Sequence, residues 1–314
     1  MMNSNIKGKD LLTLHDFTHD EINLIINSAL EMKKDRLKFS KQLEGKSLAM
    51  LFEKNSLRTR ASFEIGMTQL GGHAMFLNTD TIWGETYTDM GQVLGGYADV
   101  IMARMNTHES MVELAEHSIP PVINGLTNMY HPCQVLADLL TIREKKNRLD
   151  EINLTYTWGY CQRARPAGVC NSLLFGSAKA GVNITIACPE GYEPNNEVLE
   201  SAKQDAKKTG AKIRITNDIK EGLQGADVVY TKNYAPAGLD KKKEERLRQQ
   251  NKHWIMTKEL FNLADPKAIF LHCMPVYRNE EVTSDVVDGP RSVIYDEANN
   301  RLHAQKAVLA LVTP

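Results

Sequence analysis

The chain has 314 residues, which is long enough for two domains that each bury a hydrophobic core. With 42% hydrophobic and 25% charged residues it has the composition of a globular protein, which excludes a disordered or fibrous chain. Its 38 basic and 39 acidic side chains nearly balance, so it lacks the basic excess that is typical of nucleic-acid binding. We therefore expect no nucleic-acid partner.

Hydropathy and cysteine usage predict a cytoplasmic protein with no membrane partner. No apolar run approaches the roughly 20 residues of a membrane-spanning helix, and the first ten residues lack the apolar segment of a signal peptide. The five cysteines form no Cys-x-x-Cys pair, which favours reduced thiols over a disulfide framework. They are Cys133, Cys161, Cys170, Cys188 and Cys273.

The first half of the chain alternates between helix and strand patterns. Thr18 and Glu21 have the spacing of a capping box and precede an apolar helix face, which predicts a first helix. The apolar run at 47–52 predicts a buried strand, and the pattern at 59–70 predicts a helix that stops at two glycines. Further strands are predicted at 73–77, 99–103 and 121–124, and further helices near 88–97, 109–117 and 134–145.

A second series of the same kind starts at Ile152. Short apolar strands that alternate with helices indicate parallel sheets covered on both faces, so the predicted fold class is α/β with two such domains. The strands of this second series are predicted at 152–158, 183–188, 212–216, 227–231, 268–273 and 292–296, with helices between most of them.

The polar stretch at 143–151 is the predicted boundary between the two domains. We assign residues 1–148 to the first domain and 149–298 to the second, and we expect the last helix, within 299–314, to pack back on the first domain. The charged run at 240–250 contains few apolar residues, so we expect a solvated helix or loop there.

The segment Ser56-Leu57-Arg58-Thr59-Arg60 lies between a predicted strand and a predicted helix. Such a turn gathers unpaired backbone N–H groups and the positive end of the helix dipole. Two hydroxyls and an arginine fork at the same point make a site for a phosphate dianion. The pentapeptide alone leaves a second interpretation open, which is an ordinary capped helix with solvated arginines.

Four further segments decide between these interpretations. Together with the pentapeptide, and in the same order, they resemble motifs of the aspartate and ornithine carbamoyltransferases, namely a strand-end arginine, the HPxQ turn, the HCLP motif and the C-terminal signature. The cysteine in the second motif and the third motif itself favour the ornithine branch, and the resemblance covers essentially the whole chain. The segments are Met102-Ala103-Arg104, His131-Pro132-Cys133-Gln134, His272-Cys273-Met274-Pro275 and 296–303.

The resemblance implies an enzyme that moves the carbamoyl group of carbamoyl phosphate to an amine, without a metal or an organic cofactor. The first domain would bind carbamoyl phosphate and the second the amine. His131 would polarise the carbonyl oxygen, Gln134 would fix the carbamoyl NH2, and Cys273 would lie beside the amine. Taken singly, these residues also fit a structural turn or simple packing. The implied catalytic residues are Arg104, His131, Cys273 and Arg301, and the implied carbamoyl-phosphate ligands are Ser56, Leu57, Arg58, Thr59, Arg104, His131, Gln134 and Arg301.

The resemblance also implies a homotrimer, or a multiple of trimers, in which a neighbouring subunit completes each active site. The segment 80–85 corresponds to the donated loop. Its Trp83 is similar to a tryptophan of the carbamoyltransferases that use N-acetylornithine or N-succinylornithine, and would join the carbamoyl-phosphate site of the neighbour. The other interpretation of Trp83 is an interface aromatic.

The sequence that would bind the amine departs from the usual ornithine enzyme. A basic loop at 157–168 replaces a Gly-Asp pair, and Lys232 stands where an aspartate usually follows Tyr-Thr. A lysine repels the α-ammonium of free ornithine and attracts a carboxylate, so this substitution favours an N-acylated acceptor. The predicted acceptor-binding residues are Lys232, Cys273, Met274 and Arg165.

Three functions remain open from the sequence. The first is a carbamoyltransferase whose acceptor is an ornithine-like amino acid, N-acylated at the α-amine. The second is a conventional L-ornithine carbamoyltransferase with a remodelled pocket. The third is a carbamoyl-phosphate-binding regulator without turnover, which the complete set of donor-site motifs disfavours.

Overall fold

The computed structural model describes residues 5–78, 84–236 and 238–314. The chain folds into two compact units, of which the first contains Met1–Leu140 with Asn299–Pro314 and the second contains Thr141–Ala298. The chain passes from the first unit to the second between Leu140 and Thr141, shortly before the polar stretch at 143–151 that was predicted as the boundary. This point lies inside a helix that runs unbroken from Pro132 to Lys146.

The first unit is built on a parallel sheet with the strand order β2-β1-β3-β4. The fifth helix continues from it into the second unit. In chain order the elements are α1 (His19–Lys34), β1 (Ser47–Phe52), α2 (Leu57–Gln69), β2 (His73–Asn78), α3 (Tyr87–Tyr97), β3 (Val100–Arg104), α4 (His108–Glu116), β4 (Val122–Leu126) and α5 (Pro132–Lys146).

Local sequence signals account for these elements. The predicted capping box is present, since the Thr18 hydroxyl accepts from the Glu21 N–H while the Glu21 carboxylate accepts from the Thr18 N–H. Strands β1, β3 and β4 are apolar and buried, as expected of a sheet covered on both faces. Strand β2 lies at the sheet edge and is more exposed.

The strand order determines which loops of the first unit lie together at the carboxyl edge of its sheet. Strand β1 lies between β2 and β3, so the connection that follows β1 and the one that follows β3 leave the sheet on either side of a switch point. Open parallel sheets bind ligands outside the carboxyl ends of their strands at such a point. The turn after β1, the end of β3 and the loop after β4 therefore share one edge.

The second unit repeats this plan with a parallel sheet of order β7-β6-β5-β8-β9. Its switch point lies between β5 and β8, so the loops after β5, β8 and β9 leave the same edge. The elements are β5 (Asn153–Thr157), α6 (Gly168–Ala180), β6 (Asn183–Ala187), α7 (Asn196–Thr209), β7 (Ile213–Thr216), α8 (Ile219–Leu223), β8 (Val228–Thr231), α9 (Lys241–Gln250), α10 (Lys258–Phe261), β9 (Ile269–Leu271), α11 (Ser284–Val287) and α12 (Ile294–Val312).

The strand predicted at 292–296 is wrong. Ser292 forms an isolated bridge with Phe270, and the backbone then turns into α12 at Ile294. The Glu297 N–H donates to the Val293 carbonyl at 2.9 Å, which closes the first helical turn. The apolar residues that suggested a strand instead belong to the start of helix α12. A short apolar run by itself does not distinguish a strand from a buried helix segment.

Helix α12 packs on the first unit, as predicted for the C-terminal helix. Asn300 accepts a hydrogen bond from Lys33 of α1 at 2.8 Å, and Lys306 donates to Gln69 of α2 at 3.1 Å. Arg301 donates to Gln134 of α5 at 2.8 Å. Within the parts of the chain that the structure describes, neither this helix nor any other has the length and apolar character of a membrane span.

Candidate active site

The turn between β1 and α2 presents a helix N-terminus at the sheet edge. Ser56 is the N-cap residue with an extended backbone, and its side chain makes no capping hydrogen bond. The next side chain, Leu57, is 81% exposed, so this residue offers a ligand its backbone rather than its side chain. The first turn of a helix favours an anion through its N–H groups and its dipole. The local geometry therefore agrees with the phosphate turn predicted from sequence.

Two arginines from distant parts of the chain meet at the buried hydroxyl of Thr59. Arg301 of α12 donates to Thr59 Oγ1 through Nη2 at 3.1 Å, and Arg104 at the end of β3 lies 3.5 Å from the same oxygen through Nη1. A β carbon on Gly125 would lie 2.7 Å from Met102 Sδ, 3.1 Å from the Ala103 carbonyl oxygen and 3.4 Å from the Thr59 methyl, so a larger residue would crowd the groups beneath this contact.

Helix α5 adds the histidine and the glutamine of the HPxQ turn. Pro132 is its first residue, a position at which the missing N–H of proline has no cost. Gln134 accepts from Arg301 Nη1 through Oε1 at 2.8 Å and donates to Asp138 Oδ1 through Nε2 at 2.8 Å. These bonds fix the amide orientation of Gln134 and connect α5 to Arg301.

The side chains gathered around Thr59, together with His131, form a cluster with a strongly positive potential. Burial, followed by the charges of Arg301 and Arg58, lowers the pKa of Arg104 to about 10. Burial, followed by the charges of Arg301, Arg104 and Arg58, lowers the pKa of His131 well below its usual value. His131 is therefore neutral at pH 7, and the site is prepared for an anion.

Two neighbours of these residues lie outside the cluster. Arg60 lies over the Phe76 ring at 3.7 Å and pairs with Glu64 at 3.2 Å, so its charge is directed away from the phosphate turn. Cys133 is fully buried, and burial raises the pKa of its thiol to about 12, so it is a core residue. Trp83 lies outside the described residues.

In the second unit, Lys232 follows β8 and is buried in an ion pair. Its Nζ donates to both oxygens of Glu281, at 2.8 and 3.1 Å, and to the Pro275 carbonyl at 3.3 Å. The Glu281 side chain is fully buried. The His272 Nε2 lies 3.5 Å from the same nitrogen, so buried polar groups surround the ammonium.

His272 completes this network as a neutral imidazole. Burial lowers its pKa to about 4, and the Lys232 charge acts in the same direction. The Met274 N–H donates to His272 Nδ1 at 3.0 Å, so the ring proton is on Nε2, which donates to Glu281 at 3.0 Å. Burial alone would raise the pKa of Glu281, but the hydrogen bond from His272 and the Lys232 charge outweigh it and lower the pKa to about 2.

These contacts correct the charge argument made from sequence. We treated Lys232 as an uncompensated cation that repels an ammonium and attracts a carboxylate. The structure pairs it with Glu281, so the net charge of the pair is close to zero and the argument is wrong for that reason. No local pattern linked residues that lie 49 positions apart.

The other predicted acceptor residues lie on loops at the same edge of the second sheet. Cys273 and Met274 directly follow β9 and are half-buried. Arg165, on the loop after β5, donates through Nη2 to the Tyr277 hydroxyl at 2.7 Å. The loops after β5 and β9 are therefore joined at a predicted acceptor residue.

Asn233, which sequence reasoning missed, joins three of these loops. Its N–H donates to Glu281 at 2.9 Å, its Nδ2 donates to the Gly159 carbonyl at 3.0 Å, and its Oδ1 accepts from the Arg165 N–H at 3.1 Å. A β carbon on Gly159 would lie 2.8 Å from Thr231, so the close approach of these loops requires glycine.

Comparison with known proteins agrees with this arrangement. The family model for the aspartate/ornithine carbamoyltransferase carbamoyl-P binding domain matches residues 9–144, and the Asp/Orn binding domain of the same family matches residues 152–312. An ornithine carbamoyltransferase of Halalkalibacterium halodurans is 46% identical over 97% of this chain and 95% of its own length.

Solved structures give the same result. The ornithine carbamoyltransferase from Pyrococcus furiosus has a TM-score of 0.90 and 43% identity, and 99% of each chain is covered. An acetylornithine transcarbamylase complexed with acetylcitrulline has a TM-score of 0.91 and 31% identity, with 98% of this chain and 99% of that chain covered.

Two parallel-sheet units, one of which carries a positive cluster at a helix N-terminus, define a group-transfer enzyme that handles an anionic donor. The chain belongs to the aspartate/ornithine carbamoyltransferase family. It is a carbamoyltransferase.

Proposed function

We propose that the enzyme transfers the carbamoyl group of carbamoyl phosphate to the side-chain amine of ornithine or of a close analogue. The amine nitrogen bonds to the carbonyl carbon, the bond from that carbon to the phosphate oxygen breaks, and the amine loses a proton. The observation that carries this proposal is the contact of Arg104 and Arg301 with Thr59, beside Gln134 and a neutral His131.

Each residue of the cluster has a role that follows from its chemistry. Ser56, Arg58 and the N-terminus of α2 hold the phosphate, and Arg104 bridges the phosphate and the carbonyl oxygen. The neutral His131 donates one hydrogen bond to that oxygen as its charge increases. Gln134 Oε1 accepts from Arg301 and would also accept from the carbamoyl NH2.

L-Ornithine is the acceptor that overall similarity supports first. Relatives named ornithine carbamoyltransferase include chains 42–46% identical to this one, whereas structures named acetylornithine transcarbamylase are 31–32% identical. With the pair of Lys232 and Glu281 close to neutral, this position no longer opposes the α-ammonium of ornithine.

An N-acylated ornithine is the second candidate, because one specific observation favours it. An α-ammonium needs an anionic partner, and the Glu281 carboxylate already accepts from Lys232, His272 and the Asn233 N–H. It therefore offers little to an additional cation, whereas an acylated amine carries no charge that needs a partner.

An acceptor panel tests both candidates. Carbamoyl phosphate would be supplied with L-ornithine, N-acetyl-L-ornithine, N-succinyl-L-ornithine, putrescine and aspartate, and carbamoylated product and phosphate would be measured for each. Turnover of ornithine at the highest kcat/KM supports the first candidate, and preference for an N-acyl compound supports the second. Binding of carbamoyl phosphate with no product from any amine would instead favour the regulator without turnover. Rates measured in both directions would show whether the enzyme makes or consumes the carbamoylated amino acid in arginine metabolism.

We also propose that the chain forms a homotrimer or a multiple of it. Several large apolar side chains on α2, β2 and α3 of the first unit are exposed, which is typical of a surface that another chain covers. They are Ile65, Met75, Val93 and Tyr97. Sedimentation equilibrium with wild-type protein and with the Tyr97→Asp variant tests this, since a monomeric wild-type chain would contradict the proposal.

A further inference from the structure

Helix α9 buries two charged residues although most of its side chains are solvated. Its ten residues are almost all charged or amide side chains, and we expected a solvated segment. Glu244 and Arg248, one turn apart, are only 6% and 7% exposed, whereas Glu245 and Arg246 between them are exposed. One face of α9 is therefore packed against the protein, while the rest of the helix is exposed to solvent.

The buried face holds a charge-balanced pair. Arg248 Nε donates to the two oxygens of Glu244 at 3.2 and 3.3 Å, and the Tyr192 hydroxyl donates to Glu244 at 3.0 Å. Burial raises the pKa of Tyr192, and the Glu244 carboxylate adds to that effect. A buried arginine is tolerated when a carboxylate compensates its charge, and Glu244 meets this requirement.

A second nitrogen of Arg248 binds the loop that follows β5. Its Nη1 donates to the Cys161 carbonyl at 3.3 Å and also to the Gln162 carbonyl. Next to these, the Tyr160 N–H donates to the Trp254 carbonyl at 2.8 Å. The loop is thus held by α9 and the segment after it, three residues before Arg165.

The far end of the same loop is held at the candidate acceptor site. There the Arg165 N–H donates to Asn233, and the Arg165 guanidinium donates to Tyr277. The loop is short between its two attachments, so the position of its first attachment constrains the position of Arg165. The planar guanidinium of Arg248 satisfies two carbonyls in one geometry, which a lysine cannot reproduce.

We propose that Arg248 is a positioning residue for the acceptor. By fixing the Cys161 and Gln162 carbonyls, with Glu244 balancing its charge, it sets the place of Arg165 and through it the affinity for the acceptor carboxylate. This inference rests on the proposed function. Arg248 itself touches no reacting atom.

The test replaces Arg248 and compares the two substrates. In the Arg248→Met variant the KM for the acceptor is expected to rise about tenfold, because small displacements of a binding group are costly. The KM for carbamoyl phosphate is expected to stay unchanged. Arg248→Lys should lie between this variant and the wild type, since it keeps the charge and loses the planar fork. Arg246→Met, on the exposed face of the same helix, is the matched control.

Two outcomes would overturn the proposal. The first is an acceptor KM in Arg248→Met within twofold of that of Arg246→Met. The second is a loss of kcat and of thermal stability with no difference between the two KM values, which is the result expected of a merely structural residue. In an Arg165→Ala background, the effect of Arg248→Met on the acceptor KM should largely disappear.

Hydrogen exchange separates this inference from the proposed function. Amides of residues 160–166 should exchange faster in Arg248→Met than in Arg246→Met, whether or not any amine is turned over. If no amine on the panel reacts but exchange increases in this loop, the proposed function is wrong, while the attachment of the loop by Arg248 is confirmed. Unchanged exchange in the loop would exclude the attachment even in an active enzyme.

Discussion

The two candidate binding regions treat buried charge in opposite ways. In the first unit, like charges gather: Arg58, Arg104 and Arg301 lower the pKa of His131, and two of them lower that of Arg104. In the second unit, buried charges near the predicted acceptor residues come as opposite pairs, Lys232 with Glu281 and Arg248 with Glu244.

This difference corresponds to the charge of what each region would bind. The arginines of the cluster repel one another until an anion binds. A dianion such as the phosphate of the donor would relieve this repulsion and bind more tightly for that reason. Paired charges contribute little net potential, so an amino acid bound there is selected through shape and hydrogen bonds. The predictions below test this contrast, from the largest expected effect to the smallest.

Breaking the ion pair of the second unit should have the largest effect. Lys232→Met leaves the Glu281 carboxylate buried without its main partner, which is expected to cost about 3–5 kcal/mol of unfolding free energy. The double variant Lys232→Met/Glu281→Leu should recover only part of this loss, because both charges are then absent but the Asn233 N–H and His272 lose their acceptor. Urea unfolding of the three proteins measures it, and additive losses would contradict the pairing.

Removing a cation from the first unit should instead leave stability almost unchanged and remove activity. Arg104→Met is expected to lower kcat on the order of 10²–10³-fold, as for loss of a donor to a developing oxyanion. It also relieves repulsion from Arg301 and Arg58. Arg60→Met is the control, because Arg60 pairs with Glu64 and should matter little. Steady-state kinetics and calorimetry with carbamoyl phosphate measure both variants, and equal effects would refute the assignment.

A matched pair of glycines addresses each region separately. Gly125→Ala brings a β carbon against Met102 and Thr59, and Gly159→Ala brings one against Thr231 and Glu281. Each is expected to cost about 1–3 kcal/mol, as overpacking does. Gly125→Ala should raise the KM for carbamoyl phosphate, and Gly159→Ala should raise the KM for the acceptor. A reversed pattern would show that the two regions are assigned the wrong way round.

The effect that is smallest at neutral pH is a pH dependence of stability. The pKa of His272 is about 4 in the folded protein and 6.5 when unperturbed, so between these values the unfolded chain binds the proton and the folded one does not. Stability is therefore complete above pH 6.5 and falls with decreasing pH by about 1.4 kcal/mol per unit.

A variant isolates this contribution. Asparagine at position 272 keeps a donor and an acceptor but does not titrate, so His272→Asn should show a shallower slope between pH 6.5 and 4. Below pH 4.5 the unfolded chain also binds a proton at Glu281, whose pKa in the folded protein is lowered to about 2, so both proteins should lose further stability. Denaturant unfolding at several pH values provides the measurement, and identical slopes would exclude His272 as the source.

Local sequence patterns determined most of the fold of this protein. Alternation of short apolar runs with amphipathic segments predicted the two parallel sheets, because burial on both faces and helix periodicity are properties of neighbouring residues. The turn at 56–60 indicated an anion site from its own residues, whereas Arg104, His131, Gln134 and Arg301 were predicted from the resemblance to the carbamoyltransferase motifs.

Only the tertiary structure decided which charges are compensated. Lys232 and Glu281 lie on separate loops, and Arg248 reaches carbonyls 86 and 87 residues earlier in the chain, so no spacing reveals them. The spacing of Glu244 and Arg248 was visible, but their burial was not, because it depends on where β5 and α9 meet. A charge argument made from one residue fails when folding supplies an oppositely charged partner, as Glu281 does for Lys232. The prediction of a positive site in the first unit does not fail in this way, because Arg58 and Arg301 lower the pKa of Arg104 and all three arginines lower that of His131.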